Sequence, residues 1–269
     1  MPVTPGLEWT FNTVAEEYER WSPTYPEALY RDIFAYQPVG PESELLEVGI
    51  GTGQATRPFL ETGCALTAVE LGDRLAAIAR EKFQEFPKLS VVNLPFQEYD
   101  GPDARFDLIY SARAFHWIPE EIGYRSVYRM LKPGGAFARF SAHSVPARGM
   151  EAVYAEMQRS YDEFMYEDKR PDNAASVSPF TMEQAARRTA IGAKYGFEAL
   201  DSKLYIRERT YTAEEYIRLI GVYSDHIVLP EERRQGLLRG IREAIEAHGG
   251  TFTLEDAIEL NLHRKPHQT

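Results

Sequence analysis

The chain has 269 residues, a formal net charge of −11 and 43% hydrophobic residues. That length holds one large α/β domain, or a domain with an insertion, around a packed core. The acidic balance argues against a nucleic-acid partner, because phosphate binding draws on clustered Lys and Arg. Cys64 is the only cysteine, so no internal disulfide can form. The start of the chain, Met1-Pro2-Val3-Thr4-Pro5, lacks a signal-peptide pattern. No apolar run approaches the ~20 residues that span a bilayer. The expectation is a soluble cytoplasmic protein, monomer or homodimer, without a membrane partner.

Residues 1–36 are rich in aromatics and predict a helical cap. Val14, Tyr18 and Trp21 fall at helical spacing, and Pro26 suits the first turn of a second helix. The cap either packs its rings on the core or closes as a lid. Residues 45–48 predict strand one, and Gln54 is expected to open the helix after it. Residues 65–69 predict strand two, ending in Glu70. Asp73 is expected to cap a helix with Leu75, Ala76, Ile78, Ala79, Phe83 and Phe86 on one side. Residues 89–94 predict strand three and residues 106–110 strand four, closed by Ser111. The helix from Pro119 should turn Ile122, Val127, Met130 and Leu131 inward and stop at Lys132-Pro133-Gly134-Gly135. Residues 136–140 predict strand five.

Beyond residue 144 the alternation breaks. Met150, Val153, Met157, Tyr161 and Phe164 repeat at helical spacing, and residues 167–178 form a polar loop. A helix is predicted over 180–195, a strand over 204–209, a capping box at Thr212 with Glu215, a helix over 231–247 and a last strand over 251–262. Strands alternating with helices predict an α/β fold. The expected architecture is a doubly wound, mostly parallel, seven-stranded sheet of Rossmann-like form, with the N-terminal cap and a helical insertion after strand five. The expected segments are a cap at 1–36, a cofactor-binding core at 37–144, a helical insertion or substrate lid at 145–196, and core-completing strands and helices at 197–269.

The chemistry centres on residues 45–56, LLEVGIGTGQAT. A buried strand ends at Gly49, and Gly51 and Gly53 let the backbone turn tightly and approach a ligand without a Cβ in the way. Free N–H groups at a following helix start favour an anionic or polar ligand. The pattern also fits a dinucleotide site. Glu70, about 20 residues on at the end of strand two, is placed to accept hydrogen bonds from ribose hydroxyls.

Four features together resemble the class I, seven-stranded S-adenosylmethionine-dependent methyltransferases. They are Glu47-Val-Gly-Ile-Gly-Thr-Gly53, Glu70, Phe106-Asp-Leu-Ile-Tyr-Ser111 and Leu131-Lys-Pro-Gly-Gly135. The last feature is the most discriminating, because dinucleotide dehydrogenases do not usually carry it in this order. Phe11-Asn-Thr-Val-Ala-Glu-Glu-Tyr18 and Ser111-Ala-Arg-Ala-Phe-His-Trp117 are similar to the bacterial small-molecule branch near the trans-aconitate methyltransferases. The resemblance implies S-adenosylmethionine as cofactor and a small-molecule methyl acceptor. It implies that Gly49, Ile50, Gly51 and Gly53 form the cofactor turn, that Glu47 helps hold the cofactor's ammonium, that Glu70 binds the ribose, that Leu71 and Phe96 pack near the adenine, and that the Ser111 backbone runs along the methionine part. Two positions depart from the family pattern: Pro95 stands where an acid often follows strand three, and Ser22 stands where an arginine often precedes the proline of the N-terminal segment.

His116, just past strand four, is the candidate acid/base, or else a histidine that only lines the pocket. Tyr18, Trp21 and Tyr25 are expected to close over the cofactor's methionine end, with Trp117 as a packing residue or pocket wall. Arg113 is expected either to bind an acidic acceptor or to form a surface ion pair. The ring and methionine stripe at Tyr154, Met157, Tyr161, Phe164, Met165 and Tyr166 suits either an apolar acceptor pocket or helix core. The remaining histidines show no metal-ligand spacing; His263 and His267 are four apart, but Pro266 breaks a helix there. The alternatives to a methyltransferase are a non-catalytic S-adenosylmethionine-binding partner protein and, further off, an NAD-dependent dehydrogenase.

Overall fold

The computed structural model describes residues 6–166 and 178–267. Its strands are β1 (Glu44–Val48), β2 (Ala65–Glu70), β3 (Leu89–Asn93), β4 (Phe106–Ala112), β5 (Leu131–Pro146), β6 (Glu198–Thr212) and β7 (Thr251–Arg264). They form one sheet in the order β3-β2-β1-β4-β5-β7-β6. β1 to β5 pair in parallel, and β7 runs antiparallel between β5 and β6. Its helices are α1 (Ala15–Trp21), α2 (Glu27–Tyr36), α3 (Arg57–Leu60), α4 (Asp73–Lys82), α5 (Glu120–Met130), α6 (Glu151–Tyr161), α7 (Met182–Ala190), α8 (Ala213–Gly221), α9 (Ser224–Ile227) and α10 (Glu231–Ala247). This is the mostly parallel, seven-stranded α/β architecture expected from the alternation of elements.

The parallel strands read as unbroken apolar runs because helices cover both faces. Strand side chains alternate between the faces. Leu45, Leu66, Leu108 and Tyr110 pack with α2 and α3, whereas Leu46, Val48, Val69 and Ile109 pack with α5. On the first face the Phe59 ring stacks on Tyr110 at 3.9 Å and meets Tyr30 and Phe34 edge-on. A third core cluster lies over the far end of the antiparallel ribbon, where α6, α8 and α10 enclose Met157, Ile220, Leu237, Ile241 and Phe252. Tyr154, Tyr161 and Phe164 pack against this cluster, so the stripe is core packing there. Residues 167–177 of the expected polar loop lie outside the described residues.

Several boundaries differ from expectation. Gln54 does not open a helix: residues 51–56 are turns and α3 begins at Arg57. Gly51 and Gly53 sit at φ 57° and 86°, which a right-handed helix cannot contain. Asp73 is the first helical residue of α4 rather than its cap, and its Oδ1 shares the Arg74 N–H with Asn12 Oδ1, each at 2.9 Å. Ile122 is 44% exposed, while Tyr124, Val127 and Met130 face inward. Positions two apart on a helix point about 200° apart, so Ile122 and Tyr124 cannot share a face. The Lys132–Gly135 turn is a bulge inside β5, across which the pairing jumps from Phe106↔Leu131 to Leu108↔Ala136. The capping box at α8 is present, with Thr212 Oγ1 accepting from Glu215 N–H and Glu215 Oε2 from Thr212 N–H. Among the described residues no helix is long and apolar enough to cross a membrane.

Candidate functional site

The order in which strands join the sheet reverses at β1, whose parallel neighbours β2 and β4 begin its two wings. Open α/β sheets leave a crevice at the carboxyl ends of the strands at such a point. Here the crevice is a cavity of about 1130 Å³, roofed by the N-terminal segment through Leu7, Phe11 and Tyr18. A smaller pocket of about 20 Å³ shares Tyr18, Gly49 and Arg113 with it.

On the β1–β2 side the site is acidic and backbone-rich. Gly49 leaves the strand at φ 74°, and a Cβ there would lie 2.3 Å from the Ala114 Cβ. Only glycine fits this crossing. Glu70 is 7% exposed, and its carboxylate accepts the N–H groups of Gly51 (2.8 Å) and Gly72 (2.9 Å). Burial raises its pKa against those two hydrogen bonds. Asn93, unnoticed in the sequence, donates to the carbonyls of Glu70 and Leu71 at 2.9 Å and fixes the end of β2. Glu47 is 1% exposed; its Oε2 accepts from the Thr56 and Tyr110 hydroxyls, both at 2.8 Å. Its Oε1 has no hydrogen-bond partner among the described residues. Burial pushes the Glu47 carboxyl up to about 8 despite the two hydroxyl donors. Ser111 Oγ donates to the Val48 carbonyl at 2.8 Å, tying β4 to the turn. Pro95 and Phe96 line the same end.

On the β4–β5 side the site is cationic. Arg113, His116, Trp117, Arg139, His143 and Arg188 all reach the cavity. Arg139 lies over the Phe115 ring at 5.6 Å, with Nη1 3.4 Å from the Tyr124 hydroxyl, and makes no ion pair with a carboxylate among the described residues. Arg188 and His143 are held by Glu259, itself 1% exposed, with His143 Nε2 2.9 Å from its Oε1. Burial works to raise the Glu259 pKa, but His143 and the Arg188 charge hold it below the usual value. The His143 ring stacks on Phe180 at 3.9 Å. Asp225 lines the opposite wall; its Oδ1 lies 2.8 Å from His226 Nδ1, whose Nε2 meets the Tyr161 hydroxyl at 3.0 Å. The His116 ring opens to the cavity, yet the enclosing walls, with the charges of Arg139 and Arg113, push it down to about 4. It is therefore neutral at neutral pH.

The structure gathers most of the residues singled out in the sequence. Tyr18, Gly49, Gly51, Glu70, Leu71, Phe96, Ser111, Arg113, His116 and Trp117 line the main cavity. Glu47, Ile50 and Tyr25 join Tyr18, Gly49 and Arg113 around the smaller pocket. Two residues lie elsewhere. Trp21 lines neither space, because its indole donates to Glu17 at 3.0 Å and packs under Arg218. Gly53 is a packing residue: a Cβ there would lie 2.2 Å from the Phe83 ring. Arg139, His143, Arg188 and Asp225 were not anticipated. Arg139 had a usable signal, since it follows the apolar start of a strand and approaches its carboxyl end. Arg188 and Asp225 come from remote helices and had none.

Residues 46–139 match the family model described as a methyltransferase domain. An uncharacterized methyltransferase of Schizosaccharomyces pombe is 26% identical over 243 residues, covering 88% of this chain and 87% of that one. The trans-aconitate 2-methyltransferase of Deinococcus radiodurans is 29% identical over 135 residues, covering 50% of each, so the chain spans half the length of that relative. Among solved structures, phosphoethanolamine N-methyltransferase 2 of Haemonchus contortus, in complex with phosphomonomethylethanolamine and S-adenosylhomocysteine, matches with a TM-score of 0.55 at 17% identity, covering 95% of this chain and 58% of that one.

Proposed function

We propose that this chain is an S-adenosylmethionine-dependent methyltransferase that carries the methyl group of its cofactor to a small acceptor bearing an acid group; the methyltransferase-domain match over residues 46–139 and the full-length similarity to the fission-yeast relative support the reading. The residues at the β1–β2 end suit the cofactor. Glu70 is fixed by two backbone N–H groups and keeps lone pairs for ribose hydroxyls. Glu47 Oε1 is buried with no hydrogen-bond partner among the described residues, and an ammonium against it would draw the carboxyl, which burial keeps protonated, into its ionised, accepting form. Leu71 and Phe96 offer apolar surface for a base.

The bound cofactor supplies an activated methyl, so the protein's task is alignment and exclusion of water. Tyr18, Phe11 and Trp117 form an aromatic roof, with Phe11 meeting Tyr18 and Trp117 edge-on at 5.5 and 6.1 Å. An ionised carboxylate acceptor is already a nucleophile and needs no base. His116 would then line the pocket as a neutral ring, in keeping with its lowered pKa.

The observation that carries the acid acceptor is Arg139, a cavity cation with no carboxylate partner among the described residues, beside Arg188 and His143. An unpaired enclosed guanidinium favours a bidentate anionic ligand. The test is methyl transfer to a panel of small mono-, di- and tricarboxylic acids and their amides, read as S-adenosylhomocysteine released. Acids should be preferred. Arg139→Gln should raise KM for the best acid about 10- to 100-fold with kcat nearly unchanged, the loss of one charge-assisted contact. Equal use of the amides, or an unchanged KM, would refute the acid acceptor.

A further inference from the structure

The smaller pocket, about 20 Å³, adjoins the main cavity through Tyr18, Ser22, Gly49 and Arg113, and its described lining includes one acid, Glu47, and one base, Arg113. Ser22, Pro23, Gln54 and the Tyr18 and Tyr25 phenols are neutral. Tyr25 feels the charges of both Glu47 and Arg113, so the pair brackets the same small volume.

Arg113 is held there by the backbone. It sits at φ 54°, the left-handed region that a non-glycine residue adopts at a cost. Its N–H donates to the Phe140 carbonyl at 3.0 Å, which fixes β4's exit in that conformation. Strain of this kind persists where the surrounding structure imposes it, and it collects at binding sites. The Arg113 guanidinium makes no carboxylate ion pair among the described residues; the groups that act on it are the phenols of Tyr25, Tyr18 and Tyr223 and the Asp256 carboxylate, which Arg207 and Arg209 hold. An orphan carboxylate oxygen and an unpaired guanidinium thus face one pocket next to the Gly49 turn. That pair is complementary to an α-amino acid, which offers an ammonium and a carboxylate one carbon apart.

We infer that Arg113 binds the carboxylate of the methionyl end of S-adenosylmethionine, leaving acceptor recognition to Arg139 and Arg188. The assignment rests on the cofactor site proposed above. It makes Arg113 a determinant of which sulfur nucleoside the chain accepts, and it accounts for a site in which Ser22 brings no charge.

The test is calorimetric and needs no acceptor. Wild type, Arg113→Met, Arg113→Lys and Glu70→Ala are titrated with three probes. S-adenosylmethionine has both amino-acid groups, its decarboxylated analogue keeps only the ammonium, and 5′-methylthioadenosine has neither. Arg113→Met should weaken S-adenosylmethionine about 10- to 100-fold and change the other two less than about threefold. Arg113→Lys should recover part of the loss. Wild type alone should bind the decarboxylated analogue more weakly by the same factor, a comparison that holds even where a variant fails to fold. Equal wild-type affinity for the two sulfonium compounds, or an Arg113→Met loss shared by all three probes, would overturn the assignment while leaving the cofactor site intact. Failure of every probe to bind wild type would overturn the cofactor site, and the role of Arg113 with it.

Discussion

Replacing Glu47 by Gln should stabilise the ligand-free protein, and only at neutral to alkaline pH. The carboxyl is fully enclosed and sits at about 8, against an ordinary value of 4.5. Because the folded pKa is raised, the folded state holds this proton where the unfolded chain has released it. The stabilising contribution is therefore complete below pH 4.5 and drains away as pH rises toward 8. Each pH unit in that window changes stability by ~1.4 kcal/mol at most, so about 3.5 kcal/mol is lost between pH 5 and 8 as an upper bound, and ~2 kcal/mol after local relaxation. Gln keeps an oxygen for the Thr56 and Tyr110 hydroxyls and carries no charge to desolvate. Urea unfolding of both proteins at pH 5, 6.5 and 8 isolates the residue, since every other titrating group is common to the two. Near-equality at pH 5 and an advantage of ~2 kcal/mol or more for Glu47→Gln at pH 8 is expected. Curves that stay parallel across pH would mean Glu47 is solvated or permanently paired, and the reasoning would fail.

Gly49→Ala should cost ~2–4 kcal/mol and abolish S-adenosylhomocysteine binding, because the new Cβ meets the Ala114 Cβ at 2.3 Å with φ at 74°. Adding Ala114→Gly should return part of the stability, and no recovery in the double variant would show that the contact is not the cause. His116→Asn should leave kcat for an acid acceptor within about threefold, with a flat profile from pH 6 to 9, since the ring is already neutral there. A loss beyond about 100-fold together with a displaced pH profile would make His116 a working base and the acceptor a protonated nucleophile.

Much of the site was legible because strand ends are legible. Glu47, Gly49, Glu70 and Ser111 each sit at or beside the point where an apolar run stops, and in a parallel sheet those points converge on one edge. The face of a helix was harder to read. Tyr18 and Trp21 fall on one turn, yet Tyr18 lines the cavity and Trp21 turns to Glu17. Glycines at similar spacing also diverged, with Gly49 clearing the Ala114 side chain and Gly53 clearing the Phe83 ring.

The order of apolar runs, glycines and acids in the chain determined the α/β class, the position of the glycine turn and the acidic half of the crevice, because periodicity and turn chemistry act over a few residues. Tertiary structure decided the cationic half. Arg139 from β5 and Arg188 from α7 reach one cavity, with Asp225 of α9 on its opposite wall, because the antiparallel β7 folds the last third of the chain back across the sheet. No local pattern encodes a meeting of groups so far apart along the chain, since what fixes it is the packing of whole elements.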